Sequence, residues 1–180
     1  MSLSIYQQHM GASYAELTPE IQSFHALKGN YRLSGEVDVI GAETIWGRLL
    51  SVIMRFPASS PKQPFEFHLQ TENEKERWKR CFPTRTMQSS MSLRGHFLVE
   101  SFGPMECRFI LRTADGRLIM EPQGVRWFGL PLPTFLVPQI SATESSADGK
   151  LHFDVSARWP GNYLTVAYRG WLDLASAEAL

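Results

Sequence analysis

Cysteine is scarce in these 180 residues: there are two, Cys81 and Cys107, far apart and outside any Cys-x-x-Cys spacing. So few thiols read as reduced and structural, as in a cytoplasmic protein, and a single domain of this length needs no staples, since it buries roughly 70% of the surface its unfolded chain would expose. Charge of one sign is missing too. Lysine plus arginine total 18, as do aspartate plus glutamate, so the basic excess that nucleic acids or anionic membranes demand is absent and no nucleic-acid partner is expected. The longest apolar stretch, Trp127 to Pro138, is broken by Gly129, Pro131 and Pro133 and falls short of the ~20 residues of a membrane span. No membrane insertion is therefore expected. The opening run Met1 to Gln8 has neither the basic start nor the apolar core of a secretion signal.

Catalytic signatures are lacking as well. There is no glycine-rich phosphate loop, no Gly-x-Ser-x-Gly elbow and no dinucleotide-binding fingerprint. Five dispersed histidines and two lone cysteines show no ligand spacing of the kind zinc uses. No cofactor or metal is expected, and no catalytic residue can be assigned.

The chain does carry clear periodicities. Tyr6, Met10 and Tyr14, with Leu17, recur as one helical stripe, weakened at Gly11. Thr18-Pro19-Glu20 reads as the start of a second short helix that ends by Gly29. Alternation from Asn30 to Ile40 indicates a half-buried strand, and helical spacing returns from Ala42 to Phe56, with an apolar stripe broad enough to want burial on two sides. Beyond Pro64 everything reads as strands, and Asp115-Gly116 and Asp148-Gly149 suit tight hairpin turns. The expected fold is α+β: a strongly curved, mostly antiparallel sheet of about eight strands gripping the Ala42 to Phe56 helix, or a near-closed β-barrel, with two short N-terminal helices.

Several clusters taken together resemble the bacterial family called domain of unknown function 4166. They are Trp78-Lys79-Arg80-Cys81-Phe82, the turn Phe102-Gly103-Pro104, Gly129-Leu130-Pro131-Leu132-Pro133 with Pro138, and Phe153-Asp154-Val155 followed by Tyr168-Arg169-Gly170-Trp171-Leu172. The similarity runs from about Tyr6 onward. It implies a domain identity and no chemistry, although similar members occur alone or attached to dehydrogenase-like or membrane segments.

Side-chain parity along the strands gives the candidate site. In the run Arg77 to Phe82, Trp78, Arg80 and Phe82 share the apolar face. The same argument turns Arg85 and Ser89 inward with Met87 and Met91, Glu144 inward with Ile140 and Ala142, and Tyr168 inward beside Leu164 and Val166. A guanidinium on an apolar face is paired or anchors a pocket. Arg80, Arg85, Ser89, Glu144, Tyr168 and Trp78 are thus candidate ligand-binding residues for a small apolar or anionic molecule, against the plainer expectation of an Arg80–Glu144 ion pair that fixes strand register. Two further alternatives are an enzyme using Glu144 as acid or base with Arg80 and Arg85 stabilising negative charge, and an interaction domain for a dehydrogenase-like or membrane partner protein. The Trp127 to Pro138 segment would cap the open end of the sheet, or else stay exposed as a contact patch.

Overall fold

A computed structural model of the protein describes residues 3–72 and 74–180. Met1 and Ser2, part of the run read above for a leader, lie outside the described residues. The strands are β1 (Asn30–Ile40), β2 (Ser60–Glu72), β3 (Lys75–Cys81), β4 (Thr86–Arg94), β5 (Phe97–Phe102), β6 (Met105–Ala114), β7 (Arg117–Trp127), β8 (Leu130–Pro131), β9 (Gln139–Ala147), β10 (Lys150–Trp159) and β11 (Tyr163–Ala179). They pair antiparallel in the order β6-β5-β4-β3-β2-β1-β11-β10-β9-β7, and β7 also pairs with β6. The ten long strands therefore close into a barrel, with the two-residue β8 appended to β7. Of the two expected architectures the barrel is the one found, and about eight strands was too few. The alternation is weakest in β7, which Pro122 and Gly124 interrupt.

Parity explains which way the wall faces. Leu33, Val37 and Val39 of β1, and Phe65, Phe67 and Leu69 of β2, are buried inside, while Arg32, Glu36, Glu66 and His68 lie on the outer face. Barrels that span membranes have the reverse arrangement, apolar outside and polar within. At two places the wall is drawn unusually tight. A Cβ on Gly35 would lie 1.9 Å from the Trp171 carbonyl oxygen, and one on Gly170 would lie 2.1 Å from that of Glu36. Only glycine lets β1 and β11 approach so closely, as a sharply coiled barrel corner requires.

One end of the barrel is plugged by α1 (Ile5–Met10), a 3₁₀ turn (Gly11–Glu16) and α2 (Pro19–His25). α1 begins with a capping box in which the Ser4 hydroxyl accepts from the Gln7 amide while the Gln7 side chain accepts from the Ser4 amide. It stops at Gly11, whose φ of 55° ends the helix. The predicted stripe Tyr6, Met10, Tyr14 and Leu17 is buried against the lumen.

The other end, the mouth, carries α3 (Ile45–Ile53), and here the structure departs from expectation. α3 does not fill the barrel. Its small, polar side meets β11: Gly47 is the buried residue of the helix, and the Ser51 hydroxyl donates to the Gly47 and Thr165 carbonyls. Of its broad stripe, Phe56 is buried and Leu50 packs on the core, while Ile45, Trp46, Leu49, Val52 and Ile53 point outward. No helix among the described residues is long and apolar enough to cross a membrane.

Candidate functional site

Arg80 points into the lumen, as parity requires, and is almost wholly buried. Its partner is not Glu144. One guanidinium nitrogen donates to Glu100 Oε1 at 3.0 Å, the other donates to the Ser89 hydroxyl at 3.0 Å, and Ser89 in turn donates to the same Glu100 oxygen at 2.7 Å. The register places these groups side by side, since Arg80 faces Met87 across β3–β4, two residues from Ser89, and Met91 faces Glu100 across β4–β5. The indole of Trp78 lies 4.9 Å from the guanidinium carbon, a cation–π distance. Desolvation is the largest influence on Arg80 and works against its charge, but Tyr168 and Glu100 together outweigh it, so its pKa stands above the ordinary arginine value. The result is a buried, closed ion pair. Burial is also the main reason the Tyr168 phenol is pushed up, with Arg80 opposing.

Glu144 is inward as expected but is engaged by the plug. His25 of α2 approaches Glu144 Oε2 with its Nε2 at 2.7 Å, and its ring stacks on Tyr6 of α1 at 3.6 Å between centroids. The His25 Nδ1 is buried with no hydrogen-bond partner among the described residues. Beneath it, Glu76 accepts from the Trp78 indole at 2.9 Å and is held above the usual carboxylate range, chiefly by burial. Tyr6 completes the layer by donating to the Met91 sulfur.

Arg85 is a correction. It precedes β4, in the β3–β4 connector, so strand parity does not govern it. Its guanidinium donates to the Ser51 and Phe56 carbonyls, at 3.3 and 3.2 Å. It therefore ties the C-terminal end of α3 to the barrel rim instead of forming an anion clamp with Arg80. The Trp127 to Pro138 segment divides between its two expected roles: Leu132 and Val137 pack on the core as a cap, while Phe128, Leu130 and Phe135 stay exposed.

Two spaces remain inside. A cavity of about 100 Å³ lies in the lumen, lined by Phe67, Met87, Met91, Met105, Phe109 and Met120, with Arg80, Glu100, Glu144 and Tyr168 as its main polar wall. A second space of about 230 Å³ sits beneath the mouth among Leu50, Trp127, Leu132, Pro138 and Trp159. Phe56, Met105, Ile140 and Ala157 line both and form the partition between them. Of the six candidate residues, Trp78, Arg80, Glu144 and Tyr168 border the inner cavity, Ser89 stands behind Arg80, and Arg85 lies at the rim. The cysteines are both free, and burial pushes the Cys107 thiol up to about 12, which makes it an inert lumen wall.

Sequence reading missed Glu100 and His25. Leu98, Val99 and Glu100 are consecutive buried residues, so apolar parity on β5 has no clear phase and leaves the direction of Glu100 open. His25 is brought to Glu144 by the docking of a helix 119 positions away, which no local pattern encodes. No group of three or more metal-ligating side chains is found among the described residues.

Among solved structures the chain is similar to a protein of unknown function from the DUF3598 family of Nostoc punctiforme, at 13% identity and a TM-score of 0.44, over 82% of this chain and 47% of that one. It thus spans about half the length of the Nostoc protein. It is also similar to Rv2717c from M. tuberculosis, at 9% identity and a TM-score of 0.43, over 87% of this chain and 98% of that one. No curated protein matches it. The resemblance first drawn from the Trp78 and Tyr168 clusters is met by the family model of DUF4166, a domain of unknown function, which matches residues 17–172, and the chain belongs to that family.

Proposed function

We propose that the barrel is a binding module for one small, mainly apolar molecule held in the lumen. The observation that carries this reading is the unfilled space beside Arg80, Glu100 and Tyr168 in an otherwise closed interior. Protein cores pack to crystal-like density and keep few voids larger than a water molecule, so a cavity of about 100 Å³ at the centre of a barrel calls for an occupant. Its walls are methionine and aromatic side chains, which adapt to irregular apolar shapes. Arg80 is already neutralised by Glu100, so a full anion would gain little there. Tyr168, bordering the same space, is the natural partner for a single polar end of the ligand. Phe56, in the partition beneath α3, is placed to admit the molecule from the outer chamber.

The test uses benzene, an uncharged probe of the size that cavities of this order admit, with binding read as heat in isothermal titration calorimetry. Titrated into the wild-type protein it should give a saturable heat with one site per chain. Ala142→Phe places a ring in the inner cavity and should abolish that heat while leaving the circular dichroism spectrum and the cooperative melt intact. A folded Ala142→Phe variant that still binds the probe as the wild type does would overturn the reading.

A further inference from the structure

We propose that the mouth of the barrel docks on the surface of a lipid bilayer that carries anionic headgroups. This stands on the outside of the molecule and is independent of what the lumen holds.

Exposed apolar side chains are not scattered over this protein. Apart from Leu3 and Leu180, near the two ends of the sequence, every exposed large apolar residue among those described lies at the mouth. α3 contributes the most: Ile45 is 81% and Trp46 79% exposed, on the same face as Leu49 and Val52. Phe128 and Phe135 join them from the β7–β9 connector, 76% and 72% exposed. A contiguous apolar surface on this scale marks a binding face. Nor does it follow from folding, because α3 turns its small, polar side to β11 and leaves its apolar stripe unpartnered.

The turn that carries Phe128 points the same way. Trp127 pairs with Leu130, so Phe128 and Gly129 form a two-residue hairpin with φ values of 49° and 79°. Such a turn favours Asn, Asp or Gly, and two hairpins at the plugged end obey that rule with Asp115-Gly116 and Asp148-Gly149. Phenylalanine at that position is held in an unfavourable conformation with its ring outside.

Charge identifies the occupant. The connectors at the mouth carry Arg48, Arg55 and Arg85 against one acid, Glu43, whose carboxylate accepts from the Leu164 amide. The described connectors at the plugged end carry Glu74, Asp115 and Asp148 against Lys28. The zero net charge, which argued against an anionic surface, thus conceals a basic excess in the connectors of the mouth. A helix lying in a membrane interface has this composition: a Trp- and Leu-bearing apolar face with arginines along its edge. Trp159 and Tyr163, beside α3, supply the aromatic side chains that settle at headgroup depth.

The test is sedimentation of the full chain with vesicles of phosphatidylcholine and phosphatidylglycerol at 3:1, compared with pure phosphatidylcholine and with Trp46→Glu/Phe135→Glu. Both substituted side chains are exposed, so the variant should keep the wild-type melting temperature. The wild-type protein should pellet with the mixed vesicles, the variant should lose roughly tenfold or more in partition coefficient, and pure phosphatidylcholine should bind more weakly. Three outcomes would overturn the proposal. They are a wild type that stays in the supernatant; a variant that binds as the wild type does, which would assign the effect to arginines alone; and a wild type that ignores vesicles but dimerises in sedimentation equilibrium through the same face, which would make the occupant a second copy of the chain.

Discussion

Arg80, Ser89 and Glu100 form a unit whose members are worth far less apart than together. Removing one partner of a buried ion pair leaves the other charged and unpaired, at a cost of about 3–5 kcal/mol, whereas replacing both by apolar groups of similar volume is nearly neutral. Arg80→Met should therefore destabilise strongly in urea unfolding, and Arg80→Met/Glu100→Leu should regain most of the loss. Equal losses in the single and double variants would mean that the pair is not closed as described. Two of its three members, Arg80 and Ser89, were legible in the sequence. The run Trp78-Lys79-Arg80-Cys81-Phe82 alternates cleanly, so the inward direction of Arg80 follows from its neighbours alone. Glu100 follows two apolar residues that point to opposite faces, and its direction is fixed only by pairing with Met91 on β4. Arg85 illustrates the limit of the same rule, for parity means nothing one residue before a strand begins.

The helices are where local pattern and tertiary outcome part company. For the plug the two agree: the stripe that marks α1 and the 3₁₀ turn is the surface buried in the barrel. The plug is also latched by chemistry that periodicity cannot show. Pairing of β5 with β6 runs out beyond Leu98–Phe109, and the Leu111 amide donates to His9 Nε2 of α1 at 3.0 Å. Only the neutral ring can accept that bond. Burial first, and then His96, hold the His9 pKa below its ordinary value. The unfolded chain consequently takes up its proton at higher pH than the folded one, and the latch contributes stability above about pH 6.5 that fades as the pH falls toward the folded value. His9→Gln offers an acceptor that does not titrate, so its melting temperature should fall less than that of the wild type between pH 8 and pH 5. Identical slopes for the two proteins would show that His9 is not the latch. For α3 the stripe is just as plain in the sequence, yet it faces outward. Hydrophobic periodicity states that a face wants covering, and it does not state by what.

At the scale of the whole molecule, the barrel has two unlike ends and a hollow centre. The plugged end is closed by its own helices and edged with acidic turns, and the mouth is apolar, basic and roofed by α3. Closure itself was legible only as one of two options, because it depends on β1 meeting β11 and β7 meeting β9 across long separations. The tight approach at Gly35 and Gly170 that permits this coiling left no signal in a single sequence, where a glycine inside a strand has several readings. The hollow follows from the geometry: ten strands enclose more volume than these inward side chains fill. Such a container should hold its ligand among the methionines of the lumen.

The protein supplies its own reporters for that claim, since Met87, Met91, Met105 and Met120 line the inner cavity, whereas Met10 and Met54 do not. The most direct measurement is a methyl NMR titration of protein labelled with ¹³C at the methionine methyl groups, using benzene. Saturable shifts of the four lumen methyls, with nuclear Overhauser contacts to the probe and little change at Met10 and Met54, are the result expected. Binding that perturbs Met54 alone, or no methyl at all, would contradict a ligand-holding lumen.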